Sequence, residues 1–151
     1  MTFPERAVAE CVASMSEGRL VSRHVNNILR CRRVDVSSIE PFLTHRADFI
    51  RVGAARLVAE KGDINAVIRA VIEEEDPDVL LGVLRVLCRQ REGREELVGL
   101  LSSSDPAVKC EAIQMFRRAG RLDCLVGLLF EDDDRLVSAV KRYMEEGPDD
   151  G

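Results

Sequence analysis

"EDPDVLLGVLRVL" (Glu75–Leu87) and "SDPAVKCEAIQMF" (Ser104–Phe116) lie 29 positions apart and share few letters, yet they match in chemistry at nearly every step. With Asp76 and Asp105 aligned, the residue three later is Val79 or Val108. Seven later stand Val83 and Ala112, eight later Leu84 and Ile113, and eleven later Leu87 and Phe116. Offsets of 3, 7, 8 and 11 fall on one face of an α-helix, so each stretch predicts a helix with a single apolar stripe. Asp at the start can cap free amides, and Pro at the first helical position gives up no needed hydrogen bond.

The pattern extends in both directions. Going back 29 positions gives Ala47, with Ile50, Ala54, Ala55 and Val58 on the stripe. Going forward 27 from Asp105 gives Asp132, with Arg135, Ala139, Val140 and Tyr143. "GRLVSRHVNNIL" at 18–29 places Val21, Val25 and Leu29 in register, with Asn26 in an otherwise apolar position. Shorter helices alternate with these: "IEPFL" at 39–43, "IRAVI" at 68–72, and "LVGLL" at both 97–101 and 125–129. Ile39, Ile68, Leu97 and Leu125 fall 29, 29 and 28 apart. "EKGD" at 60–63, "REGR" at 91–94 and "AGR" at 119–121 read as the turns between helices. Pro41 is tolerable in the first turn of its helix if Ser37 or Ser38 caps it.

The unit is therefore helix, glycine turn, helix, acidic turn, with a period near 29 residues. One such unit cannot bury its stripes alone, and stacked neighbours make a continuous core. The expected fold is all-α: an α-solenoid of about four to five stacked helix pairs at 17–46, 47–75, 76–104 and 105–131, with a half-repeat at 132–146. A capping helix at 4–15 precedes the array, and 147–151 is a flexible tail. The 151 residues are 46% apolar but only 4% aromatic, with no Trp, which suits helices packed on helices. No apolar run approaches the ~18 residues of a membrane span. "MTFPERAVAECVASM" carries Glu5 and Glu10 and lacks the layout of a signal peptide, so the expectation is a soluble cytoplasmic protein.

These residues resemble HEAT-type repeats, specifically the short HEAT-like variety first associated with phycobilisome lyases. "DPAVKCEAIQMF" and "DPDVLLGVLRVL" look like that family's Asp-Pro-x-Val opening, with a small or apolar residue four after the Val. The resemblance covers about 17–146 and is strongest at 47–130, although Asp-Pro is absent from the units at 18 and 47 and Asp132 is followed by Asp133. It implies a right-handed solenoid whose shorter helices line a concave face. Such a fold hosts unrelated roles, so it implies no particular activity.

On the shorter helices the third residue points away from the core: Pro41, Ala70, Gly99 and Gly127. That row reads either as a groove floor for a peptide or helix, or as close packing between adjacent helices. The shorter helices carry Asp63, Glu73, Glu74, Glu75, Glu95, Glu96, Asp123 and Glu131 against Arg69 and Arg94. The longer ones carry Arg51, Arg56, Lys61, Arg85, Arg89, Arg91, Lys109, Arg117, Arg118 and Arg121 against Asp48, Glu60, Asp78 and Glu111. The concave side is thus expected to be acidic and suited to a basic protein or peptide. Glu73, Glu95, Val98, Gly99, Ser102, Asp123, Val126, Gly127 and Phe130 are the candidate partner-binding residues. Val98, Val126 and Phe130 form an apolar spot there, or else pack between units. Leu136, Val137 and Met144 on the last helix mark a homodimer contact, unless that helix is a cap covered by its own charges.

No catalytic constellation is legible. His24 and His45 are the only histidines, and His45 with Asp48 supplies too few ligands for a structural metal site. Cys31 stands among Arg30, Arg32 and Arg33, which would activate an exposed thiol, but no histidine base adjoins it. Five cysteines without CxxC spacing argue against disulfides and zinc. "EEEDPD" at 73–78 lacks the EF-hand pattern and reads as a capped turn. No cofactor is implied. The leading expectation is a non-catalytic protein-interaction scaffold. The alternatives are nucleic-acid binding through Arg85, Arg89, Arg117 and Arg118, disfavoured by the formal charge of −5, and a subunit or relative of a phycobilin lyase, which the resemblance alone implies.

Overall fold

The computed structural model describes residues 1–101 and 103–119. Among them are seven α-helices, one 3₁₀ helix and no strand, so the chain is all-α as expected. The chain forms two compact units, Met1–Ala70 and a second that begins at Val71.

In the first unit, α1 (Phe3–Ser16) starts with a capping box: the Thr2 hydroxyl accepts from the Glu5 amide, and the Glu5 carboxylate accepts from the Thr2 amide. Cys11 and Met15 lie on its buried face. α2 (Ser22–Arg30) packs against α1 and buries Val25 and Ile28. This stripe is rotated from the expected one, since Leu29 and Val21 are only half-buried and Asn26 is exposed. Asn26 thus costs no buried amide. The buried Ser14 hydroxyl meets His24 Nδ1 at 3.0 Å, joining the two helices. The segment at 39–43 corrects the expectation of an α-helix. It is a 3₁₀ helix, η1 (Glu40–Thr44), preceded by Ile39 with no side-chain cap. Neither Ser37 nor Ser38 caps it; the Ser37 amide instead donates to Asp35. With Pro41 in a five-residue segment, there is no room for an α-helical turn to propagate.

α3 (Asp48–Lys61) packs on α2 and on η1. Ile50, Ala54, Ala55 and Val58, the four stripe residues, are all buried. The small side chains let neighbours come close: a Cβ at Gly53 would stand 2.6 Å from a Leu20 methyl. α3 has no side-chain N-cap. The Ala47 amide donates to His45 Nδ1 at 3.0 Å instead. α4 (Ile64–Glu73) follows and runs from the first unit into the second, with Ile64, Val67, Ile68 and Val71 buried.

In the second unit, α5 (Pro77–Cys88) is capped by Asp76, whose carboxylate accepts from the Asp78 and Val79 amides. Its stripe, Val79, Val83, Leu84 and Leu87, is buried throughout. α5 packs on α6 (Arg91–Leu101) and on α7 (Pro106–Ala119), and α6 packs on α7. Asp105, just before α7, accepts from the Ala107 amide at 3.0 Å, repeating the role of Asp76 one period later.

"REGR" at 91–94 corrects a second expectation. It is not the turn between helices but the first turn of α6, and the turn is only Arg89 and Gln90. Gly93 is buried there because the helix backbone passes directly over the end of α5. A Cβ at Gly93 would lie 2.3 Å from the Leu87 carbonyl oxygen. Six residues further on, Gly99 is exposed, and nothing lies within 4 Å of where its Cβ would stand.

The two glycines of α6 therefore respond oppositely to one substitution. Gly93→Ala forces backbone apart and lowers stability by about 1–3 kcal/mol. Gly99→Ala only removes unfolded-chain freedom and raises it by about 0.5–1 kcal/mol. Urea unfolding of the two variants checks the sign of each. A stable Gly93→Ala protein would contradict the tight α5–α6 corner.

Candidate functional site

The candidate partner-binding residues within the described chain fall on α4 and α6. Glu73 is the last residue of α4 and is exposed. Glu95 is exposed on α6 and faces Arg91, with carboxylate and guanidinium 3.5 Å apart. Arg91 belongs to α6 and not to the longer helix with which it was grouped, so α6 is less acidic than expected. Gly99 is open to solvent, as expected for the outward position, and so is Pro41; Ala70 is half-buried. Val98 is buried and presents no exposed apolar surface. Ser102, Asp123, Val126, Gly127 and Phe130 lie outside the described residues, as do Leu136, Val137 and Met144.

The candidate nucleic-acid residues lie on α5 and α7. Arg85 is half-buried in the last turn of α5, and Arg89 is exposed at its C-cap. Arg117 lies on α7, where its side chain is outside the described set. Arg118 is exposed, and its Nη2 donates to the Ile72 carbonyl at 2.8 Å. That carbonyl is among the last of α4, next to Glu73. An arginine of the longer helices and an acidic residue of the shorter ones are thus brought together, and the expected division of charge between layers breaks at this point.

The Arg118 contact is one of several of a kind, among them that of Arg51 with the His45 carbonyl at the C-cap of η1. Lys61 Nζ donates to the Cys31 carbonyl at 2.8 Å, at the C-cap of α2. Arg94 Nη1 donates to the Cys88 carbonyl at 3.0 Å, at the end of α5. Helix C-termini leave carbonyls without intrahelical donors and carry the negative end of the dipole, so a cation there satisfies both needs. Sequence reasoning placed cations at helix ends. It did not see that Lys61, Arg94 and Arg118 each reach a helix other than their own. The one available signal was Lys61 standing 30 positions after Cys31, about one period.

The groups that hinted at chemistry are all engaged locally. His45 accepts the Ala47 amide and stacks on Phe42 with ring centroids 5.9 Å apart. Asp48 is ion-paired with Arg51 at 2.7 Å, and Arg51 also donates to the His45 carbonyl. His45 and Asp48 therefore serve the entry to α3. Cys31 is buried, and its Sγ lies 3.2 Å from the Asn27 carbonyl. Glu74 accepts the amides of Glu75 and Asp76, which makes "EEEDPD" a capped turn. Among the described residues no group of three or more His, Cys, Asp or Glu could hold a metal ion, and no helix is long and apolar enough to cross a membrane. Comparison with family models, with curated proteins and with solved structures returned no match.

Burial decides thiol behaviour. It pushes the Cys88 thiol up to about 12, against a smaller opposing pull from Arg94, and it also raises Cys11. A thiol raised in the folded state favours folding fully below its ordinary value of 9.0 and loses that contribution as pH climbs toward 12. Stability is therefore expected to fall between about pH 9 and pH 12, less steeply in Cys88→Ala than in the natural chain. Peptide-mapped alkylation at pH 8 is expected to leave Cys88 and Cys11 unmodified until urea is added. Native labelling of Cys88 would overturn this reading.

Proposed function

We propose that this chain is a non-catalytic interaction scaffold built as a right-handed solenoid of short HEAT-like repeats, with an acidic face of shorter helices that receives a basic protein or peptide. One observation carries the reading. Residues at the same offsets in α3 and α5 are buried identically, while the outward positions Glu73, Glu95 and Gly99 remain exposed on the shorter helices. A repeating core on the longer helices that leaves these residues of the shorter helices open to solvent supports a solenoid used for recognition. The open space at Gly99 among the described residues supports a groove floor at that position.

Recognition on this face rests on charge rather than on a large apolar anchor, since Val98 is buried. Rim charges of this kind set encounter rate and salt sensitivity more than final affinity. The nucleic-acid alternative is weakened at one point, where Arg118 is held by the Ile72 carbonyl.

The test combines affinity capture with charge reversal. Partners are captured on the natural chain with and without nuclease, and again on a Glu73→Lys, Glu95→Lys, Asp123→Lys variant. The expected result is a nuclease-resistant protein partner whose capture the variant loses at unchanged helicity. Capture that persists in the variant would remove the acidic face from the proposal, and nuclease-sensitive capture would favour the arginines.

A further inference from the structure

The stretch "RCRR" at 30–33 carries more positive charge than the fold uses. Arg30 closes α2 and complements its C-terminal dipole. Arg32 and Arg33 lie past the helix, exposed and with no ion pair among the described residues. The Cys31 carbonyl between them is already satisfied by Lys61. Four cations therefore stand at one helix end, whose dipole is equivalent to only about half a charge. Among the described residues, none of the carboxylates near it in sequence forms an ion pair with these arginines. Asp35 is turned to its own Ser37 amide, Glu60 pairs with Arg56 at 3.9 Å, and Asp63 accepts from Asn65. Elsewhere in this unit unpaired arginines, such as Arg6, Arg23, Arg46 and Arg69, are separated in sequence and read as ordinary solvated surface.

The loop that bears the cluster is also held in place. Cys31 is buried and its thiol lies against the Asn27 carbonyl, Lys61 ties its carbonyl to the end of α3, and Val36 is buried against Gly62. A cluster of like charge on a pinned loop repels itself, and the loop cannot swing away to relieve it. With the backbone held in this way, the exposed guanidinium groups can grip carboxylates through paired N–H bonds, with no loop left to order on binding.

From this we infer that Arg30, Arg32 and Arg33 form a docking site for a short acidic protein segment. The site is separate from the acidic face proposed above and does not depend on it. Its charge fits its half of the chain. Residues 1–70 hold eleven Lys and Arg against eight Asp and Glu, whereas 71–151 hold eleven against nineteen. That second balance favours a short carboxylate segment over a long polyphosphate, which a chain of net charge −5 repels overall. Nor does the loop itself supply an aromatic ring for base stacking.

The test uses the full chain and two labelled probes of equal length, an oligoglutamate peptide and a single-stranded oligonucleotide, read by fluorescence anisotropy. The expected result is salt-sensitive binding of the peptide, stronger than that of the oligonucleotide, and reduced about tenfold or more in Arg32→Glu/Arg33→Glu with unchanged circular dichroism. The milder Arg32→Gln/Arg33→Gln pair, expected to lose several-fold, guards against misfolding of the charge-reversed chain. Absence of peptide binding, or equal binding by both variants, overturns the inference. Preference for the oligonucleotide overturns it in favour of a nucleic-acid surface.

Discussion

α3 and α5 bury apolar residues over a broad arc, Leu57 and Ala59 beside the expected stripe on α3 and Leu80 and Leu81 beside it on α5, and that surface must find partners outside its own helix. Ile50, Ala54, Ala55 and Val58 on α3, and Val79, Val83, Leu84 and Leu87 on α5, are the residues that enforce this. Each large member stabilises the fold by roughly 1.5–3 kcal/mol when it leaves water, so the stripes outweigh any single cap or ion pair. The remaining features are consequences. α6 must turn back over α5 within two residues, and that brings its first turn onto the Leu87 carbonyl, where only Gly93 fits. The capping carboxylates of Asp76 and Asp105 fix where the helices begin, and hence which residues face inward.

Helix ends supply the second layer of order. Lys61, Arg94 and Arg118 each satisfy a terminal carbonyl of a helix other than their own. This bears on function, because a cation held by a carbonyl is less free to meet a phosphate. The arginines at 30–33 are different in kind: they outnumber the needs of the helix end they surround.

Much of the fold was legible in the sequence because a stripe of Val, Leu and Ile at offsets 3, 7, 8 and 11 has few ways to be buried. The helices at 48–61 and 77–88 and their inward residues followed directly. What misled was local. Gly93 read as a turn because glycine usually ends helices, whereas here it is required by the approach of another backbone. Pro41 in a five-residue segment gave 3₁₀ rather than α geometry. The Thr2–Glu5 capping box was spelled out in the sequence and passed over. The candidate surface was less legible. Glu73, Glu95 and Gly99 face solvent, but burial of Val98 and the placement of Arg91 on α6 follow from the exact start of that helix, which the repeat period leaves open by two or three residues.

The account turns on longer helices packing against one another one period apart, as α5 does on α7. Methyl-resolved NMR of the labelled chain tests this most directly. Contacts between methyls of Leu80, Leu84 and Leu87 on α5 and those of Ala112 and Met115 on α7 are the result the repeat demands. If the α5 methyls instead meet only α6, the helices pair without stacking, and the repeat is a pattern of sequence rather than of structure.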